Sequence, residues 1–141
     1  MASNLHQFIV GLIVKYIKSY KAEIIYIDGN FISSFNVKYQ LPPKIVNHRP
    51  DIIGVDSNGQ VYIGEAKTVS DLNTERTLKQ ITDYSEYEVN GKKCRVIIGL
   101  PQNGKIIFEG IKTKLNIQDN TNINYLYIPE QLYENDKNII V

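Results

Sequence analysis

The sequence is poor in cysteine, with a single one, Cys94, among 141 residues. One cysteine cannot form a disulfide within the chain, which favours a reducing, cytoplasmic setting over a secreted one. It also excludes a zinc site built from several cysteines. The chain is nevertheless long enough to bury a hydrophobic core without cross-links, so we expect a single domain over residues 1–141.

The sequence also lacks a dominant charge and a long uninterrupted apolar run. Its 16 Lys and Arg against 15 Asp and Glu give a net charge of +1, which neither favours nor excludes nucleic acid as a partner. Lys15 and Lys18 interrupt the apolar residues 5–20, and no small-residue cleavage pattern follows. We therefore expect neither a signal peptide nor a membrane span.

The first half of the chain predicts one helix followed by β structure. Apolar residues recur at helical spacing over residues 5–17, which indicates an opening amphipathic helix. Residues 23–39 are rich in β-branched and aromatic side chains and are interrupted at Asp28-Gly29-Asn30, which predicts a hairpin or a strand with an irregular extension. Residues 51–55 and 60–68 flank turn residues and predict a hairpin.

The second half of the chain predicts further α/β units. Residues 70–89 form a predicted helix that Asn90-Gly91 closes. Residues 94–100 and 125–128 are short apolar runs typical of buried strands. The periodicity of residues 105–117 leaves a third helix and a further β excursion both open. If this segment is helical, the two flanking strands would form a right-handed parallel unit.

The turn of the hairpin decides which of its side chains share a face. With a two-residue turn at Asn58-Gly59, Asp51 falls opposite Ala66 and points away from Glu65. With a three-residue loop over Ser57-Asn58-Gly59, Asp56 pairs with Gln60, and Asp51 then lies opposite Glu65.

The hydrophobic pattern favours the three-residue loop. That register pairs Ile53 with Ile63 and Val55 with Val61 on one face. The alternative register would set Ile53 opposite Gly64 and Val55 opposite Tyr62 instead. We therefore predict that Asp51 and Glu65 face one another, with β-carbons about 4.5–5.5 Å apart.

Two facing carboxylates repel one another unless a cation neutralises them. Lys67 follows Glu65 by two residues, so strand alternation puts its ammonium on the same face. Carboxylate oxygens suit Mg²⁺ or Mn²⁺, and the three side chains together form a hydrolytic set. The alternative is an exposed surface pair of Glu65 and Lys67, but Val61 and Ile63 make Glu65 the end of a buried strand.

Pro50-Asp51, thirteen further residues and Glu65-Ala66-Lys67 resemble the signature of the PD-(D/E)XK nuclease superfamily. The resemblance implies an α/β, restriction-endonuclease-like fold: a central mixed β-sheet flanked by helices, with an αβββαβ core and a C-terminal αβ extension. It also implies a Mg²⁺-dependent deoxyribonuclease that accepts Mn²⁺ as a substitute. Asp51, Glu65 and the Ala66 carbonyl would hold the metal, and Lys67 would assist the attacking water.

Gln80 and Tyr84 lie four residues apart on the predicted second helix and so share a helical face. They resemble the QxxxY element of the RecB-like branch of the superfamily. By this resemblance, Gln80 helps to order the active site and Tyr84 lines the DNA path. The alternative is a core aromatic at Tyr84 and a solvated residue at Gln80.

Many members of the superfamily carry an acidic residue on the first helix, and this sequence departs from that pattern. Asn4, His6 and Gln7 are polar but not acidic, and Glu23 is the nearest carboxylate along the chain. His6 or Gln7 could take the place of the missing acid. Which of these residues completes the metal site is left open.

The expected partners are DNA and a second copy of the chain. His48 and Arg49 precede Pro50 and could contact phosphate, Arg49 through its planar guanidinium. The small size favours a homodimer, and the resemblance favours an endonuclease of restriction, recombination, junction resolution or repair. The alternative is an inactive DNA-binding or assembly module on the same scaffold.

Overall fold

The structure, a computed structural model, describes residues 4–28 and 39–133. Its elements, in chain order, are α1 (Asn4–Lys18), β1 (Glu23–Ile27), β2 (Ile52–Val55), β3 (Val61–Ala66), α2 (Val69–Leu72), α3 (Glu75–Glu86), β4 (Glu88–Val89), β5 (Lys92–Lys93), β6 (Arg95–Pro101), α4 (Lys105–Leu115) and β7 (Ile123–Ile128). Single 3₁₀ turns cover Gln102–Gly104 and Glu130–Leu132. No helix in this part of the chain combines the length and apolar character needed to cross a membrane.

Five strands form one mixed sheet in the order β1-β2-β3-β6-β7. The first three strands pair antiparallel, whereas β3 with β6 and β6 with β7 pair parallel. Helix α1 covers one face of the sheet, and α3 and α4 cover the other. The fold is therefore the predicted restriction-endonuclease-like α/β arrangement, an αβββαβ core extended by a C-terminal helix and strand.

Helix α1 packs closely on the sheet because two glycines leave room for it. Its inward residues Ile9 and Ile13 are fully buried. A β-carbon added at Gly64 would lie 2.7 Å from Ile13 Cγ2, and one added at Gly99 would lie 2.8 Å from Ile9 Cγ2. The small residues on β3 and β6 thus set the distance between helix and sheet.

The opposite face of the sheet carries the second half of the core. Ile63 of β3 and Ile98 of β6 are fully buried there. Ile81 of α3 and Phe108 of α4 belong to the same cluster. Burial of these apolar side chains fixes α3 over β3 and β6, the position from which its polar side chains reach the end of β3.

The predicted register of the β2–β3 hairpin is confirmed. Ile53 pairs with Ile63 and Val55 pairs with Val61. The turn is the three-residue loop, since the Asp56 amide donates to the Gln60 carbonyl at 3.1 Å and Gly59 adopts a φ of 80°. A positive φ at this position favours glycine.

The prediction of one helix over residues 70–89 is wrong in two respects. The helix is interrupted at Asn73, and Thr74 caps the new start by accepting a hydrogen bond from the Thr77 amide at 3.2 Å. Asn90-Gly91 does not close a helix but forms the turn between β4 and β5. Both residues have positive φ, 54° and 78°, which is the backbone of a two-residue hairpin turn.

Residues 105–117, for which the sequence allowed a helix or a β excursion, are helical over Lys105–Leu115. Helix α4 connects the parallel strands β6 and β7, as a crossover between parallel strands requires. Of the predicted turn at Asp28-Gly29-Asn30, the structure describes Asp28, whereas residues 29–38 lie outside the described residues.

A test of the packing compares two glycine substitutions. Gly99→Ala should lower the free energy of unfolding by about 1–3 kcal/mol, because the new methyl group meets buried isoleucines of α1. Gly110→Ala on α4 should raise it by about 0.5–1 kcal/mol, since nothing lies within 4 Å of its added β-carbon and alanine favours a helix. Urea denaturation measures both changes, and equal effects would contradict the close approach of α1.

Candidate active site

A cleft with a volume of about 510 Å³ opens at the end of the sheet where β2 begins and β3 ends. Because these strands are antiparallel, the residue before β2 and the residues that end β3 meet there. The N-terminal part of α1, the end of β1 and the start of α3 reach the same place. The lining residues are His6, Asp28, Arg49, Asp51, Glu65, Ala66, Lys67, Asp71, Thr74, Arg76 and Thr77.

Asp51 directly precedes β2 and is only 7% exposed. Its Oδ2 accepts a hydrogen bond from the Ala66 backbone N–H at 2.8 Å. Its own backbone N–H donates to the Gly64 carbonyl at 3.2 Å. Main-chain and side-chain bonds to β3 therefore fix this carboxylate at the floor of the cleft.

Glu65 lies near the end of β3 and is 5% exposed. Its Oε2 is 3.5 Å from Lys67 Nζ, whereas its Oε1 is buried with no hydrogen-bond partner among the described residues. Burial, and next the neighbouring Asp51 carboxylate, raise the pKa of Glu65 well above its usual range, despite the opposing effect of Lys67. Ionisation of Glu65 is therefore costly in this site, because Lys67 does not offset the effects of burial and of the Asp51 charge.

Lys67 follows β3 and is 6% exposed. Its Nζ donates a hydrogen bond to Oε1 of Gln80 on α3, which is 1% exposed. The Lys67 backbone N–H donates to the Gly99 carbonyl at 2.9 Å and holds the chain against β6. The ammonium is thus held between a carboxylate and an amide. The sequence placed Asp51, Glu65, Lys67 and Gln80 together, and the structure brings them together.

His6 is the residue of the first helix that reaches the cleft. Its Nε2 lies 3.3 Å from Asp51 Oδ2, and hydrogen bonding to Asp51 raises the pKa of His6 above its usual value. Gln7 does not line the cleft. Glu23 pairs with Val55 at the far end of β1 and is exposed, so it cannot complete the site.

Among the carboxylate residues of β1 and its end, Asp28, unlike Glu23, lines the cleft. It follows β1 and lines the cleft, and its backbone N–H donates to the Asp51 carbonyl at 2.8 Å. The sequence analysis assigned Asp28 to a turn. In the sequence, Asp28 directly follows an apolar strand, β1. Because β1 runs antiparallel to β2, the end of β1 lies beside the start of β2.

The two residues expected to contact phosphate before Pro50 point to different places. Arg49 lines the cleft, and its Nη1 donates to the Pro42 carbonyl at 2.6 Å. His48 does not line the cleft. Its Nε2 lies 2.7 Å from Asp83 Oδ2, so it joins this loop to α3 instead.

Tyr84 lies in the core and not along an open path. It is fully buried among apolar residues that include Ile63 and Ile81, and the His48 ring packs against it at an angle of 84°. Its hydroxyl has no hydrogen-bond partner within residues 4–28 and 39–133, and burial strongly raises the pKa of Tyr84. Gln80 and Tyr84 do share a helical face, but that face is turned to the sheet, so the expected DNA contact of Tyr84 is not found.

Four cleft residues, in α2 and around the start of α3, were not predicted from the sequence. Asp71, Thr74, Arg76 and Thr77 all line the cleft. The break at Asn73 turns this stretch towards Lys67, and one continuous predicted helix concealed it. The available signal was Thr74, a residue type that favours the N-cap position, followed by good helix formers.

Replacing the hydroxyl of Tyr84 tests its position. Tyr84→Phe should leave the free energy of unfolding unchanged or raise it by up to about 1 kcal/mol, because a buried hydroxyl without a partner is removed. Tyr84→Ala should lower it by about 3–5 kcal/mol through loss of core packing. Chemical denaturation measures both. A clear loss of stability in Tyr84→Phe would show that the hydroxyl has a partner.

No protein-family model and no curated protein match the chain. Among solved structures, the chain is similar to the crystal structure of a repair endonuclease from Pyrococcus abyssi, with a TM-score of 0.43 and 14% sequence identity. The similarity covers 92% of this chain and 48% of that chain, so this chain spans about half its length. The likeness is slight, and no function is inferred from it.

Proposed function

We propose that this protein is a metal-dependent DNA nuclease that hydrolyses phosphodiester bonds, and that it belongs with the PD-(D/E)XK enzymes its motif resembles. One observation carries the proposal. Asp51, Glu65 and Lys67 are almost completely buried, yet they line an open cleft, and one Glu65 oxygen has no partner among the described residues. Buried ionisable groups gathered in a cleft are typical of a catalytic site.

The residues of the cleft fit Mg²⁺ or Mn²⁺. No three His, Cys, Asp or Glu side chains are grouped as a metal site in the described ranges. The proposed ligands are therefore the carboxylates of Asp51 and Glu65 and the backbone carbonyl of Ala66. The backbone N–H of Ala66 donates a hydrogen bond to Asp51. Mg²⁺ commonly uses one or two carboxylates and leaves its other positions to water and phosphate.

A divalent ion bound here would polarise a phosphate and lower the pKa of a bound water. Lys67 would orient that water or stabilise the charge that develops on phosphate, and Gln80 holds Lys67 for this task. His6 would hold Asp51 from α1, the helix on which many members of the superfamily carry an acidic residue. Arg49 at the cleft would contact the DNA backbone.

The cleavage experiment compares the native protein with Asp51→Ala and Lys67→Ala on supercoiled, linear, single-stranded and four-way-junction DNA. With Mg²⁺ or Mn²⁺, the native protein should cleave at least one substrate. Loss of Lys67 should slow cleavage by roughly 10²- to 10⁴-fold, the usual contribution of a positioned acid or base. Loss of Asp51 should abolish detectable cleavage. Gln80→Ala should reduce the rate by roughly 10- to 100-fold.

Matched controls are Glu88→Ala and Lys93→Ala, which remove exposed charges from the β4–β5 hairpin. Both should cleave as the native protein does, and circular dichroism checks that every variant folds. DNA binding without cleavage by the native protein would support the inactive binding module instead. Gel filtration of the same samples tests the proposed homodimer.

Metal binding can be measured without activity. Mg²⁺ or Mn²⁺ should raise the free energy of unfolding of the native protein by about 2.7 kcal/mol at a concentration about 100-fold above its Kd. Asp51→Asn keeps an acceptor for the Ala66 N–H but removes a ligand charge, so most of the stabilisation should disappear. Glu88→Gln is the control. Equal stabilisation of Asp51→Asn and the native protein would exclude the proposed ligand set.

A further inference from the structure

We propose that Arg76 binds a backbone phosphate next to the one that is cleaved, and so positions the nucleic-acid strand across the cleft. This inference rests on the proposed nuclease function. It assigns a positioning role to a residue outside the sequence motif. Arg76 lies on the first turn of α3 and lines the same cleft as Asp51 and Glu65.

The position of Arg76 relative to the acidic pair follows from the geometry of α3. Arg76 precedes Gln80 by four residues, so the two lie on the same side of the helix, about 6 Å apart along its axis. Gln80 holds Lys67 beside Glu65. One helical turn is comparable to the separation of successive phosphates along a strand. A strand with one phosphate over the carboxylates would therefore bring a neighbouring phosphate towards Arg76.

The charges of the cleft favour such a contact. Four carboxylates line it, and they repel a polyanion. These are Asp28, Asp51, Glu65 and Asp71. Lys67 is engaged with Glu65 and Gln80, and Arg49 uses one nitrogen on the Pro42 carbonyl. Cations with free donors are needed at the rim to hold a phosphate backbone.

Arg76 has the free donors. It makes no hydrogen bond or ion pair with any other residue of the described part of the chain, and it is exposed. Its planar guanidinium matches two phosphate oxygens at once. The positive end of α3, a helix of 12 residues, lies at the same rim and adds to the attraction.

Lys79, three residues further along α3, offers a matched comparison. It is exposed and carries the same charge, but it does not line the cleft and lies 3.3 Å from Glu75 in an ion pair. If any positive charge on α3 strengthened DNA binding, loss of either Arg76 or Lys79 would weaken it. A specific phosphate contact would involve Arg76 alone.

The test uses the full chain as native protein, Arg76→Ala, Arg76→Lys and Lys79→Ala, with fluorescein-labelled linear, single-stranded and four-way-junction DNA. Arg76→Ala should raise Kd and KM about 10-fold with little change in kcat. It should also reduce the slope of log K against log salt by about 1, since one phosphate contact is lost. Arg76→Lys should keep the slope and recover part of the affinity. Lys79→Ala should behave as the native protein.

The outcomes separate this inference from the proposed function. If the native protein cleaves DNA but Arg76→Ala matches Lys79→Ala in KM and in salt slope, the role of Arg76 is excluded and the nuclease stands. If the native protein binds DNA without cleaving it, the nuclease fails, while a lower slope in Arg76→Ala would still support the phosphate contact. If the native protein binds no DNA, both fail.

Discussion

The pairing of β2 with β3 controls the chemistry of the cleft. Side chains alternate between the faces of a strand, so a shift of one residue would turn Asp51 away from Glu65 and Lys67. The turn that ends in Gly59 excludes that shift, because it sets Val55 opposite Val61. A short exposed loop at one end of the hairpin thus determines which charged groups meet at the other end.

The charged groups that meet there are costly to bury. Glu65 is almost completely removed from water, lies near Asp51 and has Lys67 as a partial counter-charge. Burial of such charged groups lowers the stability of the folded chain. A divalent cation would offset the repulsion between the Asp51 and Glu65 carboxylates and would bind the Glu65 oxygen that has no partner among the described residues. The proposed metal would therefore relieve the electrostatic cost of burying these groups.

Helix α3 connects the core to the cleft. Its apolar side, with Ile81 and Tyr84, is buried against the sheet and fixes the helix in place. Because the helix is fixed, Gln80 is held against Lys67 and Arg76 is held at the rim. The break at Asn73 lets the chain turn between β3 and α3, which brings the positive end of the helix to the site.

The sequence by itself determined the features whose signals are local. These are the opening helix, the register that pairs Ile53 with Ile63, and the placement of Asp51 opposite Glu65. Each of them depends on periodicity or turn chemistry over a few residues. Only the tertiary structure decided that His6 and Asp28 join the cleft, because they approach Asp51 from other elements of the sheet and helix layers. It also decided that Tyr84 is buried, since helical spacing shows which residues share a face but not which face meets the core.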